Sequence, residues 1–293
     1  MYFGPPPQML QTEVFAMLPE HLAKGPDGKR AGFLEGPSFD RDGNLLCVDI
    51  RAGRIYRISS HGVWEVLIEY DGLPNGLKLH RDGRVFVADR KNGLMVLDPR
   101  TASIEALLPG PTVGQRFRGL NDLIFAANGD LYFTDQGRTG LQDPTGRVWK
   151  LGAGGSLHCV IDNAPSPNGL VFNKRETALY LAVTRANAVW RIELDEPDHR
   201  TGLFVQLFAA GPDGMALDEA GNIVVAHPTV GGVWVFSRTG EPLHYLKSCA
   251  GEMTTNVAYG GEGNRTLYIT ESRTGSILTA RLPVAGKRMY SHA

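Results

Sequence analysis

NGLKLHRDGRVFVADRKNGLMVLD, residues 75–98, holds the pattern that decides the fold. Leu77 and Leu79 alternate with polar residues, RDG follows, and the apolar run Val85, Phe86, Val87, Ala88 leads through a second turn, NG, to Leu94–Leu97. Alternation at period two means a strand, and DG or NG between two such runs means a hairpin. The same order of segments recurs at residues 35–58 (EGPSFDRDGNLLCVDIRAGRIYRI), 121–151, 168–194, 213–236 and 256–282. The six copies start 40, 46, 47, 45 and 43 residues apart. Three or four strands at a period of about 40–50 residues is the spacing of propeller blades. The expected fold is therefore all-β, a six-bladed β-propeller forming one domain over 1–293. TEVFAML, residues 12–18, precedes the first copy and has no blade of its own. It is expected to pair with the sixth blade, closing the ring and removing an open sheet edge. Residues 24–32, 108–118 and 137–145 read as loops that shape the pocket.

Composition supports this. The chain has 36 glycines and 18 prolines in 293 residues, 42% hydrophobic and 21% charged residues, and a net charge of −1. Glycine, at about 12%, exceeds its usual share of about 7%, which implies many tight turns and short strands. With no basic tract, nucleic acid and anionic membranes are not expected partners. No apolar run reaches the roughly 20 residues of a spanning helix. Residues 1–11 have no basic start followed by an apolar stretch, so no secretory leader is expected and the location read is cytoplasmic. Cys47, Cys159 and Cys249 form no CxxC pair and are expected to be inert thiols. A monomer or small homo-oligomer fits, since a closed ring needs no partner to bury its core.

Aligning the copies places Glu35, Asn75, Asn121, Asn168, Asp213 and Asn256 at the head of every first strand. The first strand of a propeller blade lines the channel, so these six form a ring at one depth. All carry carbonyl or carboxylate oxygen, where an ordinary core would be apolar. Two carboxylates among four amides match a divalent cation, calcium first, with magnesium, manganese, zinc and iron(II) open. Asn-Gly and Asp-Gly are also turn-formers, which is the plainer explanation. A second column, Asp49, Asp89, Asp135, Val183, His227 and Glu271, ends the second strands and should rim the same mouth, either touching substrate or capping loops.

The motifs LEGP (34–37), GLNDL (119–123), SPNGL (166–170), GPDGMALD (211–218) and TTNVAYGG (254–261) resemble the family of senescence marker protein, gluconolactonase and luciferin-regenerating enzyme. GLNDL and FTDQGR are most similar to the bacterial gluconolactonase-like and diisopropylfluorophosphatase-like members. The resemblance spans nearly the whole chain and implies the same six-bladed fold. It implies that Glu35, Asn168 and Asp213 ligate a metal, with Asn121 a fourth ligand or a substrate contact. Some lactonases carry Arg two residues before that Asn; here the position is Gly119, and Arg118 comes one residue earlier. The expected activity is metal-dependent hydrolysis of a small lactone, foremost a sugar lactone. In it Asp213 serves as general base, Asn121 and Arg118 orient the substrate, and Asn75, Asn256 and His227 are further contacts. No GxSxG elbow or phosphate loop offers another chemistry. The alternatives are a phosphotriesterase or fluorophosphatase on the same ligands, and a non-catalytic propeller plugged by a structural metal.

Overall fold

The computed structural model describes residues 4–292; residues 1–3, which begin the segment read as lacking a leader, and residue 293 lie outside the described residues. Six sheets surround a central channel. Each is a four-stranded antiparallel meander with its first strand innermost, apart from one added strand in blade five. The inner strands are Leu34–Phe39, Pro74–Leu79, Leu120–Phe125, Pro167–Phe172, Met215–Leu217 and Thr254–Gly260. Each neighbours the next around the ring, and the sixth returns to the first. Among the described residues no helix is long and apolar enough to cross a membrane.

Hydrophobic alternation within each strand gives every blade two apolar faces, and adjacent blades bury them against each other. Leu46, Val48 and Ile55 of blade one pack with Leu77, Val85 and Val87 of blade two. Val224 and Ala226 of blade five meet Leu267 and Ile269 of blade six. Ala258 and Ile277 of blade six close onto Leu45 and Tyr56 of blade one. Each fully buried aliphatic side chain contributes roughly 1.5–3 kcal/mol. Losing one blade would therefore expose two such faces.

The ring closes as the sequence predicts. Glu13–Met17 is the outer strand of blade six and pairs antiparallel with Ser276–Arg281. One strand was not foreseen: Gln8–Gln11 adds a fifth, parallel strand outside Pro242–Lys247 of blade five. It covers that blade's exposed edge. Thr12 carries the chain from one blade to the next, its hydroxyl donating to Lys247 O (3.0 Å) and accepting from Cys249 N (2.9 Å). Cys47 is buried in the core, whereas Cys159 and Cys249 are exposed; all three are free.

Candidate metal centre

Near the head of the inner strand, five blades break register with the second strand, between Glu35 and Ser38, Pro74 and Gly76, Leu120 and Leu123, Pro167 and Leu170, and Thr254 and Asn256. In blade five the regular pairing starts only at Met215, and Asp213 N donates to Ala226 O (3.0 Å). Such bulges re-aim side chains. They recur where the six oxygen-bearing residues stand, so the pattern is built in rather than local. Asn75 and Asn168 lie inside strands, so turn chemistry does not account for their NG pairs. The glycines serve close approach instead. A Cβ on Gly76 would lie 2.6 Å from Asp122 Oδ1, and one on Gly214 would collide with the Asn256 amide.

Glu35, Asn75, Asn121, Asn168 and Asn256 are buried, and Asp213 keeps partial exposure. Glu35 Oε2 accepts from Asn256 Nδ2 (2.9 Å) and from Gly36 N (2.9 Å). The same Asn256 nitrogen donates to Asp122 Oδ2 at 3.3 Å. Asn256 belongs to blade six and Asp122 to blade three, which face each other across the axis, so this bond spans the channel. Asn121 Nδ2 donates to Gln136 Oε1 (3.1 Å). Asn168 Nδ2 donates to Thr184 Oγ1 (3.2 Å), whose hydroxyl donates to Pro212 O (2.8 Å). These bonds orient both amides and leave each Oδ1 without a hydrogen-bond donor among the described residues.

Asp122 was missed in the sequence, and it is the third axial carboxylate. Its signal was the residue after each ring position: Gly36, Gly76, Gly169 and Gly214 in four blades, but Asp in NDL. Burial pushes the Asp213 carboxyl up to about 7, the charge of Asp122 adds to this, and hydrogen bonding from Asn168 opposes it. Glu35 is driven well above the usual carboxylate range by burial and then by the charge of Asp213; the Asn256 hydrogen bond opposes, and Asp122 adds. No cation offsets these charges among the groups acting on Glu35 and Asp213. Mutual repulsion among buried carboxylates with free amide oxygens nearby fits a bound divalent cation. Among the described residues no three His, Cys, Asp or Glu side chains make a metal-binding group by themselves. A cation here would be held by mixed carboxylate and amide oxygens, a hard-ion set.

Two expected substrate contacts are bonded to other protein groups. His227 is fully buried, Nε2 bonding Ala210 O (2.6 Å) and Nδ1 accepting from Trp234 Nε1 (3.1 Å). Both ring nitrogens are engaged, so the imidazole has nothing to offer a ligand at the mouth. Arg118 bonds the Thr145 hydroxyl and lies 3.8 Å from Asp143, tied to the loop over 137–145. The remaining acids of the second column cap loops. Asp89 Oδ1 accepts from Lys91 N (2.7 Å) and Asn92 N (2.8 Å), and Glu271 Oε1 accepts from Met253 N (2.9 Å). Asp49 Oδ1 does the same for Arg51 N (3.1 Å) and Ala52 N (3.2 Å).

Comparison with known proteins gives the same frame. A gluconolactonase of Zymomonas mobilis is 33% identical over 219 residues, 68% of this chain, and the match spans 60% of that enzyme's length. The lactonase drp35 of Staphylococcus aureus is 28% identical over 228 residues, 72% of this chain and 68% of its own. Among solved structures, the calcium-binding protein regucalcin of Agrobacterium tumefaciens superimposes with a TM-score of 0.80 at 21% identity, covering 98% of this chain and 99% of that one. A gluconolactonase of Xanthomonas campestris does so at 0.76 and 22%, covering 95% and 98%. These two likenesses speak to the fold. The family model described as the SMP-30/Gluconolactonase/LRE-like region matches residues 33–273, all six inner strands included, and the chain belongs to that family.

Proposed function

We propose that this chain hydrolyses a small lactone, foremost a sugar lactone, with one divalent cation on the propeller axis. The observation that carries the proposal is the set of mutually repelling carboxylates, buried Glu35 and Asp122 with partly exposed Asp213, beside amides whose oxygens are free. The similarity to gluconolactonase and lactonase relatives supports the substrate class.

Glu35, Asn121, Asn168 and Asp213 would hold the cation. When bound, a divalent ion supplies Lewis-acid polarisation of the carbonyl and charge stabilisation of the oxyanion. The protein does the rest. Gln136 and Thr184 fix the Asn121 and Asn168 amides, so their oxygens need no reorganisation when substrate arrives. Asp213, the one ring carboxylate that keeps partial exposure, is the group placed to take a proton from water. Water adds to the lactone carbonyl carbon as its proton passes to Asp213. The ring C–O bond then breaks, and that proton goes to the departing ring oxygen, giving the open hydroxy acid. Asn75 and Asn256 complete the ring as candidate contacts, and Asn256 also holds Glu35 in place.

The test is hydrolysis of a lactone panel, followed by pH indicator, using chelator-treated protein with each divalent ion added back. Ion-restored turnover on a γ- or δ-sugar lactone is the expected result. Measurable ion binding with no lactone turnover would overturn the proposal, and turnover of a phosphotriester in its place would give the site to that chemistry.

A further inference from the structure

The opposite end of the channel encloses a separate cavity of about 520 Å³. Its walls include Phe39, Leu79, Phe125, Phe172, Leu217 and Tyr259, from the far ends of the inner strands. None of the six ring residues lines it. A strand rises about 3.3 Å per residue, so Lys78 stands about 10 Å along its strand from Asn75.

A segment near the C-terminus forms one side of this cavity and is held from several blades. Arg41 Nε donates to Ser291 O (2.8 Å), and His292 Nε2 bonds Asp40 O (3.0 Å). Lys287 pairs with Glu176 (2.9 Å). Tyr290 stacks on Phe125 with 5.0 Å between ring centroids and an interplanar angle of 24°, and Arg81 lies 4.2 Å from the Tyr290 ring centroid. The wall is therefore a packed part of the fold.

Charge around this cavity is unbalanced. Arg41, Lys78, Lys287 and Arg288 line it against Asp40 and Glu176. Both carboxylates are engaged: Asp40 accepts from Asp42 N, Asn44 N and Asn44 Nδ2 in its own turn, and Glu176 takes Lys287 and Ala127 N. Lys78 is partly buried on an apolar wall, and its ammonium donates to the Leu77 carbonyl (3.2 Å), with no carboxylate in ion-pair reach among the described residues. An ammonium so placed gains from an anion that brings its own apolar surface. A volume near 500 Å³ with mostly apolar walls and a few polar groups is what small-molecule sites have.

We propose that this cavity is a second binding site, for a small amphipathic organic anion whose carboxylate meets Lys78 and whose apolar body lies among Phe39, Phe125, Phe172 and Met289. A polyhydroxylated sugar acid does not match these walls, so the occupant differs from the ring-opened product. The inference stands apart from the activity proposed for the ring.

Calorimetric titration of the full, cation-loaded chain with 4-phenylbutyrate tests it. Saturable one-to-one binding is expected, with 4-phenylbutylamine failing to bind at the same concentrations. Lys78→Met should weaken phenylbutyrate binding by about tenfold or more, the loss of a charged hydrogen bond, with melting temperature and basal turnover unchanged. Ala216→Leu, which narrows the cavity without touching charge, should also weaken it. Absence of saturable binding overturns the proposal. So does binding that Lys78→Met and Ala216→Leu leave unchanged, or equal binding of the amine.

Discussion

At the head of each inner strand stands an oxygen-bearing residue, Glu35, Asn75, Asn121, Asn168, Asp213 or Asn256. Four residues further along, at or near the far ends of these strands, stand Phe39, Leu79, Phe125, Phe172, Leu217 and Gly260. A Cβ on Gly260 would collide with the Phe39 ring, so even the exception makes room for an aromatic. One mouth is thus acidic and amide-rich, and the other apolar with surplus cations. Six-fold repetition sets depth but not chemistry. Each layer of the channel takes its character from a single column of the repeat, which is how two unlike sites can share one axis.

The largest expected effect breaks the acidic mouth. Asp213→Asn should keep the propeller and lower lactone turnover by about 10²–10⁴-fold, the usual worth of a positioned general base. Near-normal rates would remove Asp213 from that role. The same variant sharpens the electrostatic contrast. In chelator-treated protein it should melt higher than the parent, because a raised carboxylate no longer repels Glu35 and Asp122. Adding a divalent ion at about 1,000 times its Kd should stabilise the parent by roughly 4 kcal/mol. That upward shift in Tm should shrink in Asp213→Asn and persist in Lys78→Met. An equal shift in both variants would mean that the ion binds away from the ring.

A smaller effect concerns spacing. Gly76→Ala should destabilise by about 1–3 kcal/mol in urea unfolding, since its methyl would overpack against Asp122. An unchanged midpoint would mean that the ring is looser than its geometry. Smallest of all, Asn75→Ala should lower turnover much less than Asp213→Asn, as expected if Glu35, Asn121, Asn168 and Asp213 suffice to hold the ion. A loss as large as that of Asp213→Asn would make Asn75 part of the machinery.

The repeat was legible because DG and NG turns separate alternating runs, and its column delivered five buried side chains and one partly exposed one to the axis. The outer strands were harder to see. Trp64–Glu69 and Ser103–Leu108 are only partly buried, so they need little hydrophobic signature and left little. Gln8–Gln11 is held mainly by backbone pairing, which a sequence does not display. Asp122 escaped because it stands one residue past the column, at a position that is glycine in four other blades. His227 misled in the other direction. A histidine at a strand end near a mouth is equally compatible with a buried ring bonded to Trp234 and Ala210, and only packing tells the two apart.

The borrowed strand of blade six has a consequence for how the chain is made. Glu13–Met17 leaves the ribosome long before Ser276–Arg281, the partner it pairs with. Until that partner arrives it is an unpaired edge, and blade one lacks the neighbour that covers Leu45 and Tyr56. Synthesis therefore carries an incomplete, sticky ring until the sixth blade is made, and the clasp that finishes it joins a strand made before blade one to the strand that completes blade six.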